Sequence, residues 1–258
     1  MVSAGGIAKG LPLDDGGVHV RGTIVKAGGL GDATQSLRMA SDWEVGVSQG
    51  VFMDGHVYGA QLEVELVAIT PEPEKVIEQA GRTCYLSFDR MDEDSQADFI
   101  RRLIKVGHES PLEHAYATFR VKNCSRAMTH QLVRHRLMAV SQQSQRYVDE
   151  EQFSYVVPEG MPPEHLEDFH QDMRTIQGMY RKWRQRGLKK EDARFVLPNA
   201  CVSEIVVSAD LREWRHIFQL RLSPKAQWEI RRACELMLAI LKQHAPTCFE
   251  DLTATAVQ

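Results

Sequence analysis

Polar and apolar residues alternate along three stretches of the chain and recur at helical spacing along several others. The alternating stretches predict β-strands at 62–69, 114–121 and 202–208. Short strands are also predicted at 147 and at 153–157. Helical spacing predicts helices at 71–80, 94–106, 125–136, 163–187 and 191–197, then one from 211 and one from 224 to about 241. Strands scattered among helices predict an α+β fold with a mixed or antiparallel sheet flanked by helices.

Residues at the predicted helix ends support these boundaries. Ser125 and Asp210 suit N-caps, because a short side-chain oxygen can accept from an unpaired N–H of the first turn. Gly107 suits the end of the helix at 94–106, since glycine tolerates a left-handed backbone. Pro224 suits the opening turn of the last helix.

Residues 1–60 differ from the rest of the chain. They contain repeated glycine pairs, few large apolar residues and no sustained period, which predicts a partly mobile N-terminal extension. Gly29–Thr34 is similar to a dinucleotide-binding loop, but Thr34 occupies its third glycine position, so the motif is not satisfied. We therefore predict one domain at 61–258, preceded by this extension.

Charge and cysteine content narrow the classes of function. The chain carries 31 basic and 35 acidic residues, and its net charge of −4 argues against a nucleic-acid partner. The cysteines form no C-x-x-C pair, so no zinc knuckle or dithiol redox motif is predicted. His108 and His114 lack the spacing of a metal-binding helix, and no metal is expected. We find no leader and no membrane-spanning run, and so expect a cytoplasmic protein with reduced thiols and no membrane partner.

Basic and polar residues at 134–146 form the first candidate for a functional site. Residues 134–136, Arg-His-Arg, are expected at the C-terminal end of the helix at 125–136, where the helix dipole favours basic groups. The apolar run 137–140 is expected to pass through the interior. Ser141–Arg146 then supplies hydroxyls, amides and a guanidinium. Guanidinium and hydroxyl groups suit phosphate, and glutamine amides suit a base edge, so a phosphorylated heterocycle is the predicted ligand.

Ser144 within this cluster has two interpretations. A nucleophilic serine needs an activating base, which only its neighbours in space could supply. A serine that hydrogen-bonds the ligand is the interpretation that we favour from the sequence.

Arg134-His135-Arg136, seven further residues, Ser144 and then Gln145-Arg146-Tyr147 resemble the signature of the flavin-dependent thymidylate synthases. The resemblance runs from about residue 82 to residue 249 and leaves residues 1–60 outside. The other blocks that carry it are 107–114, Gln131, Ala193-Arg194, 211–216, 220–223 and 226–230.

The resemblance implies a homotetrameric enzyme that converts dUMP to dTMP, with active sites assembled from several subunits. Methylenetetrahydrofolate would be the carbon donor, NADPH the reductant, and FAD the carrier of hydride. The residues implied at FAD are Ser110, Arg134, His135, Arg136, Gln142, Asp210, Arg212 and His216. The residues implied at dUMP are Gln131, Arg134, Gln142, Ser144, Arg146, Arg194 and Arg221.

Arg221 and Ser144 are the catalytic candidates under this resemblance. Arg221 would lie beside the uracil ring and favour its ionised form, which activates C5 without a covalent enzyme nucleophile. Asp210 and Lys225 depart from the family pattern, because relatives carry Asn at the first position and commonly His at the second. The Asp210 contact with FAD is therefore the weaker expectation.

Two other functions use the same arginines. A regulatory protein could bind a nucleotide without catalysis, and it would lack bound flavin. An RNA-binding protein could use Arg134, Arg136 and Arg146, but the net charge of −4 does not favour it.

Overall fold

The computed structural model describes residues 24–25, 51–53, 56–58, 61–92 and 94–253. Most of the predicted extension at 1–60 lies outside these residues, so both the extension and the domain boundary after it stay predictions. Within the described ranges the chain combines an antiparallel sheet with helices, which confirms the α+β class.

The strands and helices agree with most of the predicted elements. The strands are β1 Ile24–Val25, β2 Val51–Met53, β3 His56–Tyr58, β4 Glu63–Ile69, β5 Tyr116–Ser125, β6 Ala139–Gln142 and β7 Val202–Asp210. The helices are α1 Pro73–Thr83, α2 Ser95–Lys105, α3 Arg126–Leu132, α4 Leu166–Gln185, α5 Lys190–Ala193, α6 Leu211–Arg221, α7 Trp228–His244 and α8 Pro246–Phe249. Short 3-10 turns lie at Phe88–Arg90, Ser110–His114, Pro163–His165 and Arg194–Val196.

In the part of the chain that the structure describes, five strands form one sheet in the order β1-β4-β5-β7-β6, and β2 pairs with β3. Each of these pairings is antiparallel. The long central strands β5 and β7 pair with Phe119 opposite Val207. At the β6 edge, Gln142 lies opposite Ile205. The segment that follows Arg136 is therefore an edge strand of the sheet.

One face of the sheet carries the core. Phe119 and Val207 are fully buried there, because a strand places every second side chain on the same face. Trp214 of α6 packs edge-on against Phe119, with ring centroids 5.2 Å apart, and its Nε1 donates to the Ala117 carbonyl at 3.1 Å. This packing fixes α6 across the sheet and thereby sets the position of Arg221 at its end.

The helix predicted at 125–136 ends at Leu132. The backbone N–H groups of Arg134 and His135 donate to the carbonyls three residues earlier, of Gln131 and Leu132. A turn of this tighter kind commonly ends an α-helix. The prediction that 134–136 form the helix end is therefore wrong, because the chain must leave the helix to enter β6.

The apolar run 137–140 does not pass through the interior of this chain, and that prediction is also wrong. Leu137 is 72% exposed and Val140 is 40% exposed. Among the described strands, β6 pairs with β7 alone. Leu137 and Val140 consequently lie on the outside of a single chain, whereas Met138 between them is partly buried against the core.

Three further predicted elements differ from the structure. Tyr147 lies in a turn, and the segment 153–157 contributes one isolated bridge, between Tyr155 and Cys201, in place of a strand. The last long helix begins at Trp228, after Pro224, because the Gln227 side-chain oxygen accepts from the N–H groups of the first turn and caps it.

Candidate active site

The start of α3 is held by a buried cap. Ser125 Oγ accepts from Met128 N at 3.0 Å, as predicted for an N-cap. Glu229 of α7 accepts from Ser125 N at 2.6 Å and from Ser125 Oγ at 2.5 Å. Burial raises the pKa of Glu229, although its bonds to Ser125 oppose that rise. The cap fixes where α3 begins and therefore where Gln131 and the residues after it lie.

The ends of α3 and α6 meet at Arg221. Arg221 Nε donates to His135 Nε2 at 3.0 Å, and Arg221 Nη2 donates to the Gln131 carbonyl at 3.0 Å. The Gln131 amide nitrogen donates in turn to Gln227 Oε1 at 3.3 Å. Arg221 is therefore in direct contact with both Gln131 and His135, up to 90 positions away in the sequence. The resemblance assigned all three residues to FAD or dUMP.

His135 is neutral in this junction. Burial, with help from the neighbouring Arg221 and His216, lowers the pKa of His135 from 6.5 to about 4. Because Arg221 donates to Nε2, that nitrogen must offer its lone pair, and the ring proton is on Nδ1. Nδ1 faces Glu213 Oε1 at 3.9 Å, too far for a hydrogen bond. The His216 ring lies edge-on to His135, with centroids 5.9 Å apart.

We expect the His135 imidazole to titrate at about pH 4 in the folded protein. Folding favours the neutral ring, so the contribution of His135 to the free energy of unfolding is complete above pH 6.5 and is lost as the pH falls towards 4. Imidazole nitrogen chemical shifts, assigned with His135→Gln, measure this directly. A midpoint near pH 6.5 would contradict the buried, neutral ring.

Three guanidinium groups near the junction lack a carboxylate partner among the described residues: those of Arg134, Arg136 and Arg221. By contrast, Arg212 pairs with Glu113, and Arg146 pairs with Glu191 at 3.0 Å. Unpaired arginines beside a neutral histidine favour an anionic ligand, because the charge is not compensated within the chain.

Ser144, Arg146 and Arg194 form a second group, around the start of α5. Arg146 Nε donates to Glu191 Oε2, and Arg194 Nε donates to the Glu191 carbonyl, both at 3.0 Å. Ser144 Oγ accepts from Arg146 N at 3.3 Å. Within the described ranges, no imidazole or carboxylate contacts this hydroxyl, so the chain offers it no base of its own.

Gln142 connects the sheet edge to α3. Its amide nitrogen donates to Thr129 Oγ1 at 2.8 Å and to Ser203 Oγ at 3.0 Å. Both N–H groups are therefore used inside the chain, which leaves the amide oxygen to accept from a ligand. Beside it, an open cleft of about 340 Å³ is lined by Ser141, Gln142, Gln143, Glu204, Ile205 and Val206.

Asp210, Arg212 and Ser110, which the resemblance assigned to FAD, lie around the start of α6. Asp210 caps this helix and accepts from Glu213 N at 2.8 Å, and burial raises the pKa of Asp210. Arg212 is tied to Glu113, which belongs to the same short turn as the exposed Ser110. In the described part of the chain, no hydrogen bond joins this group to Arg146 or to the Arg221 junction.

Several residues of the site had no role in the sequence predictions. Gln227 and Glu229 hold Gln131 and Ser125 through hydrogen bonds, and Glu213 faces His135 without bonding to it. Gln227 and Glu229 belong to a block that carried the resemblance, and a cap preceding an apolar helical run was a detectable signal. Nothing local to Glu213 indicated that it would face a histidine 78 positions earlier.

A family model described as "Thymidylate synthase complementing protein" matches residues 65–247. The chain belongs to this family. The match includes every residue of the Arg221 junction and of the Ser144 group.

Proteins named flavin-dependent thymidylate synthase are similar to the chain over most of its length. One from Geobacter sulfurreducens is 41% identical over 200 residues, which cover 74% of this chain and 86% of the relative. One from Nitratidesulfovibrio vulgaris is 39% identical over 207 residues, covering 72% and 84%. One from Pyrococcus abyssi is 41% identical over 189 residues, covering 69% and 78%. The family resemblance is confirmed, and the chain is an enzyme of this thymidylate synthase family.

A membrane-spanning helix needs both sufficient length and sufficient apolar character. Among the described residues, no helix is both long enough and apolar enough to cross a membrane.

Proposed function

We propose that this enzyme methylates dUMP to dTMP, taking the carbon from methylenetetrahydrofolate and the reducing equivalents from NADPH through bound FAD. The relatives' names support thymidylate synthesis that depends on a flavin. The observation that carries the proposal is the junction of Arg221, His135 and Gln131, where an uncompensated guanidinium is held in a fixed orientation.

Arg221 is the residue that we propose activates dUMP. Its Nε and one Nη nitrogen are used within the chain, and the other Nη nitrogen can donate to a uracil oxygen. Negative charge develops on that oxygen as C5 attacks an electrophilic carbon, and a preoriented guanidinium stabilises it. His135 is neutral and adds no competing positive charge. No covalent bond from the enzyme to the uracil is needed for this activation.

The rest of the dUMP site is proposed from Gln131, Arg134, Gln142, Ser144, Arg146 and Arg194. Arg146 N donates to Ser144 Oγ, and the side chains of Arg146 and Arg194 both contact Glu191. Guanidinium and hydroxyl groups are suited to a phosphate. The Gln142 amide oxygen is available to accept from a ring N–H, since its N–H groups are bonded to Thr129 and Ser203.

The donor set near the junction fits FAD. Arg134 and Arg136 are exposed and lack carboxylate partners in the described ranges, which suits a pyrophosphate. His216 and Arg212 present further donors from α6, with Ser110 on the neighbouring turn. When bound, FAD supplies hydride transfer, which no side chain can perform. Asp210 is already used as a helix cap, so we assign it the weakest contact.

We propose that the enzyme is a cytoplasmic homotetramer whose neighbouring subunits complete each site. Large apolar side chains around the two groups are exposed in a single chain: Leu137 by 72%, Tyr147 by 76% and Phe195 by 83%. Exposed apolar side chains concentrated beside a site are typical of an interface. A second copy of the chain would cover them.

Ser144→Ala is expected to weaken dUMP binding about tenfold and to retain turnover at saturating dUMP, because the variant loses hydrogen bonds only. Titration calorimetry and the rate of dTMP formation measure the two effects. Ser87→Ala, far along the sequence, is the control. Turnover abolished at unchanged dUMP affinity would instead assign Ser144 as the nucleophile.

The proposed reaction can be tested with the purified enzyme, its three substrates and FAD. We expect dTMP to form from dUMP only when methylenetetrahydrofolate, NADPH and FAD are all present. The amount of dTMP is measured by chromatography, first in the complete mixture and then with each component omitted in turn. Absence of dTMP from the complete mixture, with dUMP and flavin both bound, would refute the proposal.

A further inference from the structure

A buried group of side chains adjoins the segment 143–146. The Gln143 amide nitrogen donates to Glu150 Oε1 at 3.3 Å, and the Cys201 thiol lies 3.8 Å from Glu150 Oε2. The Gln145 amide nitrogen donates to the Cys201 sulfur at 3.6 Å. Glu150 is 4% exposed and Gln145 is 8% exposed. Both glutamines of the segment are thus joined to one buried carboxyl, Gln143 directly and Gln145 through Cys201.

The backbone of Cys201 is fixed independently of Glu150, whereas its thiol contacts Glu150. The Cys201 carbonyl accepts from Arg126 N at 3.0 Å, at the start of α3, and its backbone forms the bridge with Tyr155. The Arg126 guanidinium also lies 3.5 Å from the Gln143 carbonyl. Because Cys201 is anchored through its backbone, a change at Glu150 acts mainly on the side chains of the 143–146 segment.

We propose that Glu150 is a positioning residue for dUMP binding, which sets the conformation of the segment carrying Ser144 and Arg146 through its contacts with Gln143 and Cys201. The inference rests on the proposed function, in which this segment binds the nucleotide. Ser144 lies between the two glutamines and Arg146 directly follows them. Glu150 therefore acts without touching dUMP.

The charge of Glu150 changes near neutral pH. Burial raises the pKa of Glu150 from 4.5 to about 7. The charged and titratable groups that face it are Arg126 of α3, the adjacent Asp149, the Cys201 thiol and Tyr180 of α4. Burial also raises the pKa of Cys201 to about 12 and that of Tyr180, so these two stay neutral around pH 7. An ionised Glu150 accepts with both oxygens, whereas a protonated one loses an acceptor.

This geometry predicts a particular pH dependence for Glu150→Gln, which resembles the protonated acid. At pH 8 we expect the variant to bind dUMP about three- to tenfold more weakly than the parent enzyme, the effect of one lost hydrogen bond. At pH 6 the parent is itself protonated, so the ratio of the two dissociation constants should approach one. Taking the ratio cancels the titration of the dUMP phosphate.

The experiment compares the FAD-loaded parent, Glu150→Gln and the exposed-neighbour control Glu151→Gln by calorimetric titration with dUMP at both pH values. Amide hydrogen exchange of residues 141–148, measured at pH 8 without dUMP, should be faster in Glu150→Gln and unchanged in Glu151→Gln. A ratio that is the same at pH 6 and pH 8, or unchanged exchange in this segment, would overturn the proposal.

A second variant covers the case in which Glu150→Gln is unstable. If Glu150→Gln fails to fold, Gln143→Ala breaks the direct contact and leaves the carboxyl in place. Faster exchange at 141–148 with weaker dUMP binding then supports the proposal, and an unchanged dUMP affinity overturns it. If the parent enzyme binds no dUMP, the proposed function fails. In that case the hydrogen-exchange measurement alone decides whether Glu150 positions residues 141–148, and unchanged exchange in Glu150→Gln overturns that role.

Discussion

Arg221→Ala is expected to lower the rate of dTMP formation by about 10²- to 10³-fold, the usual cost of removing one preoriented donor at a developing negative charge. The guanidinium is held by His135 and by the Gln131 carbonyl, so its orientation is set before the substrate arrives. Release of tritium from 5-tritiated dUMP measures the effect at C5. Arg221→Lys should recover only part of the activity, since lysine keeps the charge but cannot make both contacts.

The matched control for Arg221 is Arg232→Ala, which removes an arginine that pairs with Glu235 on α7. We expect the control to release tritium at the parent rate. Flavin content and the melting temperature of Arg221→Ala must stay close to those of the parent, so that the loss is not one of folding. Tritium release from Arg221→Ala at the parent rate would contradict the activating role.

The double variant Arg134→Ala/Arg136→Ala is expected to bind FAD at least about 100-fold more weakly than the parent. Hydrogen bonds to charged groups contribute about 1.5–3 kcal/mol each, and both guanidinium groups lack a carboxylate partner within the described ranges. Since neither residue is tied to the chain by an ion pair there, the fold should survive. Flavin absorbance after dialysis and fluorescence titration with FAD provide the measurement.

Arg102→Ala/Arg181→Ala is the control for the FAD prediction, because it removes two exposed arginines from α2 and α4. It changes the net charge by the same amount as the test variant. A long-range effect of charge alone would weaken FAD binding equally in both double variants. That result, or FAD binding unchanged in Arg134→Ala/Arg136→Ala, would contradict a direct contact.

The local elements of the fold could be predicted because their signals lie within a few residues. Alternation specified β4, β5 and β7, and Ser125 and Asp210 cap α3 and α6 as expected. The end of α3 could not be predicted in the same way. It depends on the pairing of β6 with β7 and on a contact between His135 and a residue 86 positions later.

The apolar run 137–140 illustrates a different limit. An apolar pattern indicates that side chains are to be covered, but it does not state what covers them. Leu137 is exposed in the single chain, so the inference of burial was wrong for this chain, and we propose a second copy as the cover. The apolar pattern at 137–140 is explained by the proposed tetramer only if a neighbouring subunit covers Leu137.

The candidate site residues could be named from the family resemblance, whereas their partners could not. Arg146 pairs with Glu191 and Arg212 pairs with Glu113, each across a long stretch of sequence. These pairings distinguish arginines whose charge is compensated from those, such as Arg134 and Arg221, whose charge is available to a ligand. That distinction depends on tertiary contacts, so it required the structure.

The central claim, that this enzyme makes dTMP through a flavin, is tested most directly by one anaerobic absorbance experiment. The flavin band of the FAD-loaded protein should bleach when NADPH is added. It should return when dUMP and methylenetetrahydrofolate follow, with dTMP formed in proportion to the flavin reoxidised. A protein that takes up no flavin, or a band that returns without dTMP, would contradict the claim.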